Sequence, residues 1–209
     1  MADQPNILWI CTDQQRWDTL GCYGNTFVTT PNLDKLAANG MVFDNAFSQS
    51  PICTPSRASF LTGRYPRTTR DRRNGQNIPD DEVLVTKLLA DAGYTCGLSG
   101  KLHLSTCHPK YCPDTERRID DGYSIFHWSH HPGPDWPTNE YGIWLSSRDV
   151  KFKRNVKFDD SKHVLEGMPE EHHQTTWCVN KAIDFLSNAV SHGRPWLFSL
   201  NIFDPHFAF

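Results

Sequence analysis

No run of about 18 apolar residues, the length a helix needs to cross a bilayer, occurs in this chain. Nor does a basic start followed by an apolar stretch: the first five residues read Met-Ala-Asp-Gln-Pro, which is not a signal peptide. Neither sign of charge is in excess, and the formal net charge of −3 is too near zero to point to nucleic acid or an acidic membrane as partner. The seven cysteines are odd in number and lack the spacing of a small disulfide framework. Together these absences predict a reducing cytosol, unless an export signal has been removed. Internal repeats and low-complexity segments are missing too.

What is present is ordinary for one globular domain with a sizeable core: 209 residues, 38% apolar and 22% charged. Basic residues cluster at Arg64, Arg67, Arg70, Arg72 and Arg73, either as a solvated loop or as a rim that draws anionic substrates.

The pattern along the chain alternates strands with helices. Residues 6–12 (NILWICT) are a short apolar run and read as a buried strand. Thr30-Pro31 offers a cap and a first-turn proline for a helix through Leu33, Leu36 and Ala37 that stops at Gly40. Residues 41–47 read as a second strand. Thr54-Pro55 repeats the cap signal and predicts a helix from near Pro55 through Ala58, Phe60 and Leu61 to Gly63. Asp80 or Asp81 caps a further helix with Leu84, Leu88, Leu89 and Ala92 on one side and Gly93 as its stop. Residues 94–99 read as a strand. Residues 104–169, rich in Pro, His, Trp and Asp, predict a loop-rich insertion with a small hairpin. A long helix over 170–191, ended by Gly193, and a last apolar strand over 196–203 complete the chain.

This order predicts an α/β fold with a largely parallel sheet flanked by helices. Ligands then bind outside the carboxyl ends of the strands. Asp13 and Gln14, Lys101 and His103, and Asp204 and His206 each follow a predicted strand, so three segments deliver polar groups to one edge. Cys53 lies at the mouth of a predicted helix, with Arg57 one turn in, where free N–H groups and the helix dipole favour anions. Asp13 and Gln14, taken alone, read as the start of a loop after a strand. A rival constellation, His103, Cys107, His108 and Cys112, has zinc-ligating residue types but no standard spacing. His130-His131 and His172-His173 read as surface pairs.

The string Pro51-Ile52-Cys53-Thr54-Pro55-Ser56-Arg57, continuing to Thr62-Gly63-Arg64, resembles the sulfatase signature Cys-x-Pro-Ser-Arg followed by Thr-Gly-Arg. Gly93-Tyr94 with Gly100-Lys101-Leu102-His103 resembles the second signature, with Cys96 where Ser or Thr is usual. The resemblance implies an alkaline-phosphatase-like fold and hydrolysis of a sulfate ester. It implies that a formylglycine-generating or sulfatase-maturing enzyme oxidises Cys53 to the nucleophile, with Pro55 and Arg57 read as part of the modification signal. By the same resemblance Asp13 and Gln14 help hold one divalent cation, most simply Ca²⁺, joined by the converted Cys53. Arg57, Lys101 and His103 contact the nucleophile or sulfate oxygens. His206, in a Pro-His element, contacts substrate and protonates the leaving oxygen. Asn74 is similar to an active-site asparagine of related hydrolases, or is simply an Asn-Gly turn.

Gln14 departs from the usual Asp-Asp and is similar to phosphonate monoester hydrolases, which makes a phosphonate or phosphate ester hydrolase the alternative. Lys101 and His103 favour sulfate. Sulfatases are roughly twice this length or more and supply a second metal pair, Asp with His or Asn, after the Pro-His element. No residue here matches that pair. The expectation is therefore the N-terminal portion of a catalytic domain, inactive alone, with an unpaired sheet edge. An inactive homologue acting as a binding protein is the reading from a different class. Sugar, aryl and choline-type esters all fit as substrate.

Overall fold

The computed structural model of the chain describes residues 4–133, 135–153, 156–157 and 165–206. Its centre is a four-stranded sheet of β1 (Ile7–Thr12), β2 (Thr95–Gly100), β3 (Ile125–Trp128) and β6 (Trp196–Ile202), in the order β1-β6-β2-β3. Every pair is parallel, running from Ile7 beside Leu197 to Thr12 beside Ile202, and from Thr95 beside Trp196 to Gly100 beside Asn201. β2 and β6 lie in the middle and are buried almost throughout, which is why they read as near-continuous runs of small and apolar residues.

Helices cover both faces. On one side, α2 (Cys53–Thr62) and the short α4 (Val85–Asp91) frame a core of Ala58, Leu61, Leu84, Leu98, Leu102 and Leu197. On the other, α5 (Glu140–Ser146) and α6 (Gln174–His192) bury Tyr141, Leu145, Trp177, Ala182 and Phe185 against Phe198 and Leu200. Leu197 and Phe198 point to opposite layers, as the two-residue period of a strand requires. The chain also carries α1 (Pro31–Asn39), α3 (Pro66–Thr69), 3₁₀ turns at Trp17–Thr19, Gly21–Tyr23 and Glu170–His172, and an antiparallel pair, β4 (Val156–Lys157) with β5 (Leu165–Glu166). Among the described residues no helix is long and apolar enough to cross a membrane.

Several local expectations shift. Residues 41–47 form no strand: they pair with no strand of the sheet, and Met41, Phe43 and Phe47 are exposed. α2 begins at Cys53 rather than near Pro55. Thr54 is therefore the second helical residue, not the cap, and Pro55 sits in the first turn, where its missing N–H costs nothing. Neither Asp80 nor Asp81 caps α4. They pair with Arg117 and Arg70, and the helix starts only at Val85. The stretch 104–169 is loop-rich and holds the antiparallel pair, but it also supplies β3 and α5; residues 134, 154–155 and 158–164 of it lie outside the described residues. β1 has a partner only on its β6 side, and Leu8, Trp9 and Ile10 along it are exposed.

The close approach of β2 to β6 depends on glycine. Gly100 has φ +100°, and a Cβ there would stand 2.0 Å from the Asn201 carbonyl oxygen. Gly93 also has positive φ, +94°, but nothing lies within 4 Å of its missing Cβ. Gly100→Ala is therefore expected to lower stability by about 3 kcal/mol or more, and Gly93→Ala by about 1 kcal/mol. Urea denaturation of the two variants checks this; equal losses would contradict it.

Candidate active site

Because all four strands run the same way, their carboxyl ends share one edge. Asp13 follows β1, Lys101 follows β2, His130 lies two residues past β3, and Phe203 and His206 follow β6. α2 ends at this edge too, its N-terminus toward it. Ile52, extended, offers no side-chain cap; instead Asn74 Oδ1 accepts the Thr54 amide at 3.0 Å. A residue twenty positions away thus satisfies one of the helix's free donors.

Asp13 is the hub. One carboxylate oxygen accepts Lys101 Nζ at 2.6 Å and Arg57 Nη2 at 3.2 Å. The other faces Cys53, whose Sγ lies 3.7 Å away. Lys101 Nζ is itself 3.8 Å from that sulfur. Arg57 Nη1 also donates to the Lys101 carbonyl at 2.7 Å, and Asn201 Nδ2 donates to the same carbonyl at 2.9 Å. Asp13, Arg57 and Lys101 are all buried. Burial alone would raise the Asp13 carboxyl, but Lys101 and Arg57 outweigh it and hold the group below the usual carboxylate range.

His103 is buried with φ +56°. Loss of water, with Lys101 and Arg57 nearby, pushes it down to about 2, so its imidazole is neutral at physiological pH. It meets His130 edge to face, ring centroids 4.4 Å apart. The expectation that His130 lies at the surface is corrected: it packs between His103, Trp128 and Trp136, and burial drives it well below its ordinary range. His206 stacks on Phe203 at 4.7 Å, and its ring nitrogen, the Cys53 sulfur and an Asp13 oxygen all come within 4.8 Å of one another.

A cleft of about 940 Å³ opens over this centre, with Asp13, Gln14, Cys53, Arg57, Asn74 and His206 in its wall. Lys101 and His103 stand behind that wall. Gln14, at φ +59°, lies beside Asp13 as predicted. The eight residues to which the resemblance gives a site role, Asp13, Gln14, Cys53, Arg57, Asn74, Lys101, His103 and His206, therefore gather at one edge. Asp204 does not join them, its carboxylate accepting Thr175 Oγ1 at the start of α6, 2.7 Å away. The His103, Cys107, His108 and Cys112 set does not converge as a whole: Cys107 and Cys112 meet, but His108 Nδ1 accepts the Lys110 amide at 3.2 Å, and the groups gathered with Cys107 are Glu116 and His130. Of the arginine cluster, Arg64 reaches the cleft but is paired with Glu82 at 2.8 Å. Sequence reasoning missed Glu116, Asn201 and Phe203. The two uncharged residues lie in or just after a strand that reads as core, and Glu116 is one acid in a run of charges.

Comparison with known proteins fits this geometry. The family model described as Sulfatase matches residues 5–209. Human steryl-sulfatase is 41% identical over 165 residues, covering 72% of this chain and 25% of that protein. A structure of BT4656 in complex with its substrate D-glucosamine-2-N,6-O-disulfate superposes with TM-score 0.67 at 28% identity, over 98% of this chain and 35% of that one. The phosphonate monoester hydrolase of Agrobacterium radiobacter superposes with TM-score 0.76 at 25% identity, over 97% of this chain and 41% of that one. The chain thus spans between 25% and 41% of the length of these relatives. With its signature cysteine at the mouth of α2 and a family match over nearly its whole length, the chain belongs to the sulfatase family.

Proposed function

We propose that the complete gene product hydrolyses sulfate esters, with Cys53, oxidised to formylglycine by a maturing enzyme, as its nucleophile. The observation that carries this reading is the position of Cys53: first residue of α2, open to the cleft, 3.7 Å from Asp13 and 3.8 Å from Lys101. Its Sγ marks the place one oxygen of the hydrated aldehyde would take. Such a hydrate carries two hydroxyls on one carbon, one to displace the alcohol from sulfur and the other to reform the aldehyde as sulfate leaves.

The chain's own residues divide the remaining work. Arg57 and Lys101 bring two positive charges against the single negative charge of Asp13, so the centre carries a surplus suited to a sulfate anion. Lys101, 3.8 Å from Cys53 Sγ, is assigned to contact the nucleophile and a sulfate oxygen. His103, neutral, acts as a hydrogen-bonding group rather than a cation. His206, in the cleft wall, is assigned to give a proton to the departing alcohol oxygen. Asn74 holds the first turn of α2 that presents Cys53 and also lines the cleft.

The divalent cation that the family implies, most simply Ca²⁺ with Mg²⁺ or Mn²⁺ as alternatives, is not caged by the described residues. A closed Ca²⁺ site takes about six to eight oxygens. Here Asp13 contributes one carboxylate already shared by two cations, and Gln14 one neutral oxygen. Asp13 and Gln14 are assigned as two ligands of a larger set, and no step above passes through the ion. A phosphonate or phosphate ester hydrolase is the second reading, favoured by Gln14 and by the likeness to the Agrobacterium enzyme. Lys101 and His103 favour sulfate. Turnover of an aryl sulfate against the matching aryl phosphonate decides between them.

Two outcomes are expected. In the complete gene product, Cys53→Ala lowers sulfate-ester turnover by about a thousandfold or more, while Cys96→Ala and Cys178→Ala, buried away from the cleft, stay within about threefold. Steady-state assays check this, and full activity without Cys53 would overturn the mechanism. Calorimetric titration of this chain of 209 residues with Ca²⁺ or Mg²⁺ gives a dissociation constant above about 1 mM. Tight binding, lost in Asp13→Ala, would mean that the cage is complete within the chain.

A further inference from the structure

Glu116 is a buried carboxylate, 2% exposed, with no cation paired to it among the described residues. Its charge is met by N–H donors instead. Oε1 accepts the His103 amide at 2.8 Å and the Trp128 indole N–H at 2.9 Å. Oε2 accepts the Leu104 amide at 2.9 Å, and the Ser105 amide also turns to the same group. Three hydrogen bonds, with a fourth amide beside them, take up most of the lone-pair directions of the carboxylate. Cys107 and His130 also approach Glu116, but its two oxygens are already engaged by N–H donors of the chain.

Three successive amides converging on one anion form a concave nest, here closed by a side chain of the same protein. The nest begins at His103, whose φ of +56° is unfavourable for a residue with a Cβ. Something must hold the backbone there, and Glu116 contacts that very amide. Trp128, the last residue of β3, ties the same carboxylate to the sheet. Upstream, the Lys101 carbonyl is clamped by Arg57 and Asn201. The segment carrying Lys101 and His103 is thus pinned at both ends, by two donors on the site side and by Glu116 behind.

We propose that Glu116 is a positioning residue, which holds the backbone of residues 103–105 so that His103 and Lys101 face the Asp13–Cys53 centre. The proposal rests on the sulfatase reading of that centre. Glu116 touches no reacting atom; it acts through the loop. In Glu116→Gln the amide must turn its NH₂ toward one of the two donor sets, which breaks the nest. In Glu116→Asp the charge remains but the side chain is a methylene too short to reach both Trp128 and the loop amides.

The test uses the complete gene product with Cys53 converted. Both variants are expected to lower kcat about 10- to 100-fold, as a displacement near 1 Å at a reacting centre does, with KM within about threefold. Amide hydrogen exchange across residues 103–105 should quicken, while protection in α6 and β6 stays at the parent level. Parent-like kcat in either folded variant would overturn the proposal. So would loss of protection across the whole sheet, or failure of both variants to fold, since each would make Glu116 a general stability residue. A parent that turns over neither sulfate nor phosphonate ester would instead overturn the functional reading itself, which separates the two failures.

Discussion

A single buried carboxylate with two cations on it sets the arrangement of everything around it. Asp13 draws Lys101 from the end of β2 and Arg57 from α2, so three segments far apart in sequence meet at one point. Ionised groups out of water are costly unless paired and hydrogen-bonded, and removing one partner leaves the others uncompensated. The parallel sheet makes the meeting possible, because only strands running one way can bring Asp13 and Lys101 to the same edge. Arg57 completes it by also clamping the Lys101 carbonyl.

The chemistry follows from what this triad leaves over. Two cations against one carboxylate give a positive centre with a helix N-terminus beside it, and Cys53 sits where both act. Burial keeps His103 neutral there, so the positive charge comes from Lys101 and Arg57 rather than from an imidazole. Positive charge fixed in advance, in a place poor in water, is worth most to a tetrahedral anion whose charge grows as the ester bond breaks.

Much of the site was legible because its chemistry is local in sequence. Cys53 and Arg57 share one helix turn, Lys101 and His103 share one strand end, and Asp13 follows an apolar run that could only be a strand. The missed features depend on distant partners. Glu116 has no local signal, since the amides it binds lie some thirteen residues upstream and its indole donor twelve downstream. Residues 41–47 look like a strand in pattern, but a strand needs a neighbour, and pattern cannot supply one. β3 hid in a stretch of polar and aromatic residues because only four of its residues pair. The His130 error has the same origin. A histidine doublet in a loop reads as surface, and only the packing of Trp128 and Trp136 around it shows otherwise.

The central claim is that Cys53 is the residue made into the nucleophile. Mass spectrometry of the protein, produced together with a formylglycine-generating enzyme and digested, tests it without reference to substrate. The account predicts that the peptide containing Cys53 carries an aldehyde that reacts with a hydrazine probe, while peptides holding the other cysteines keep free thiols. A peptide with an unmodified Cys53 thiol, from a preparation that turns over a sulfate ester at full rate, would contradict it.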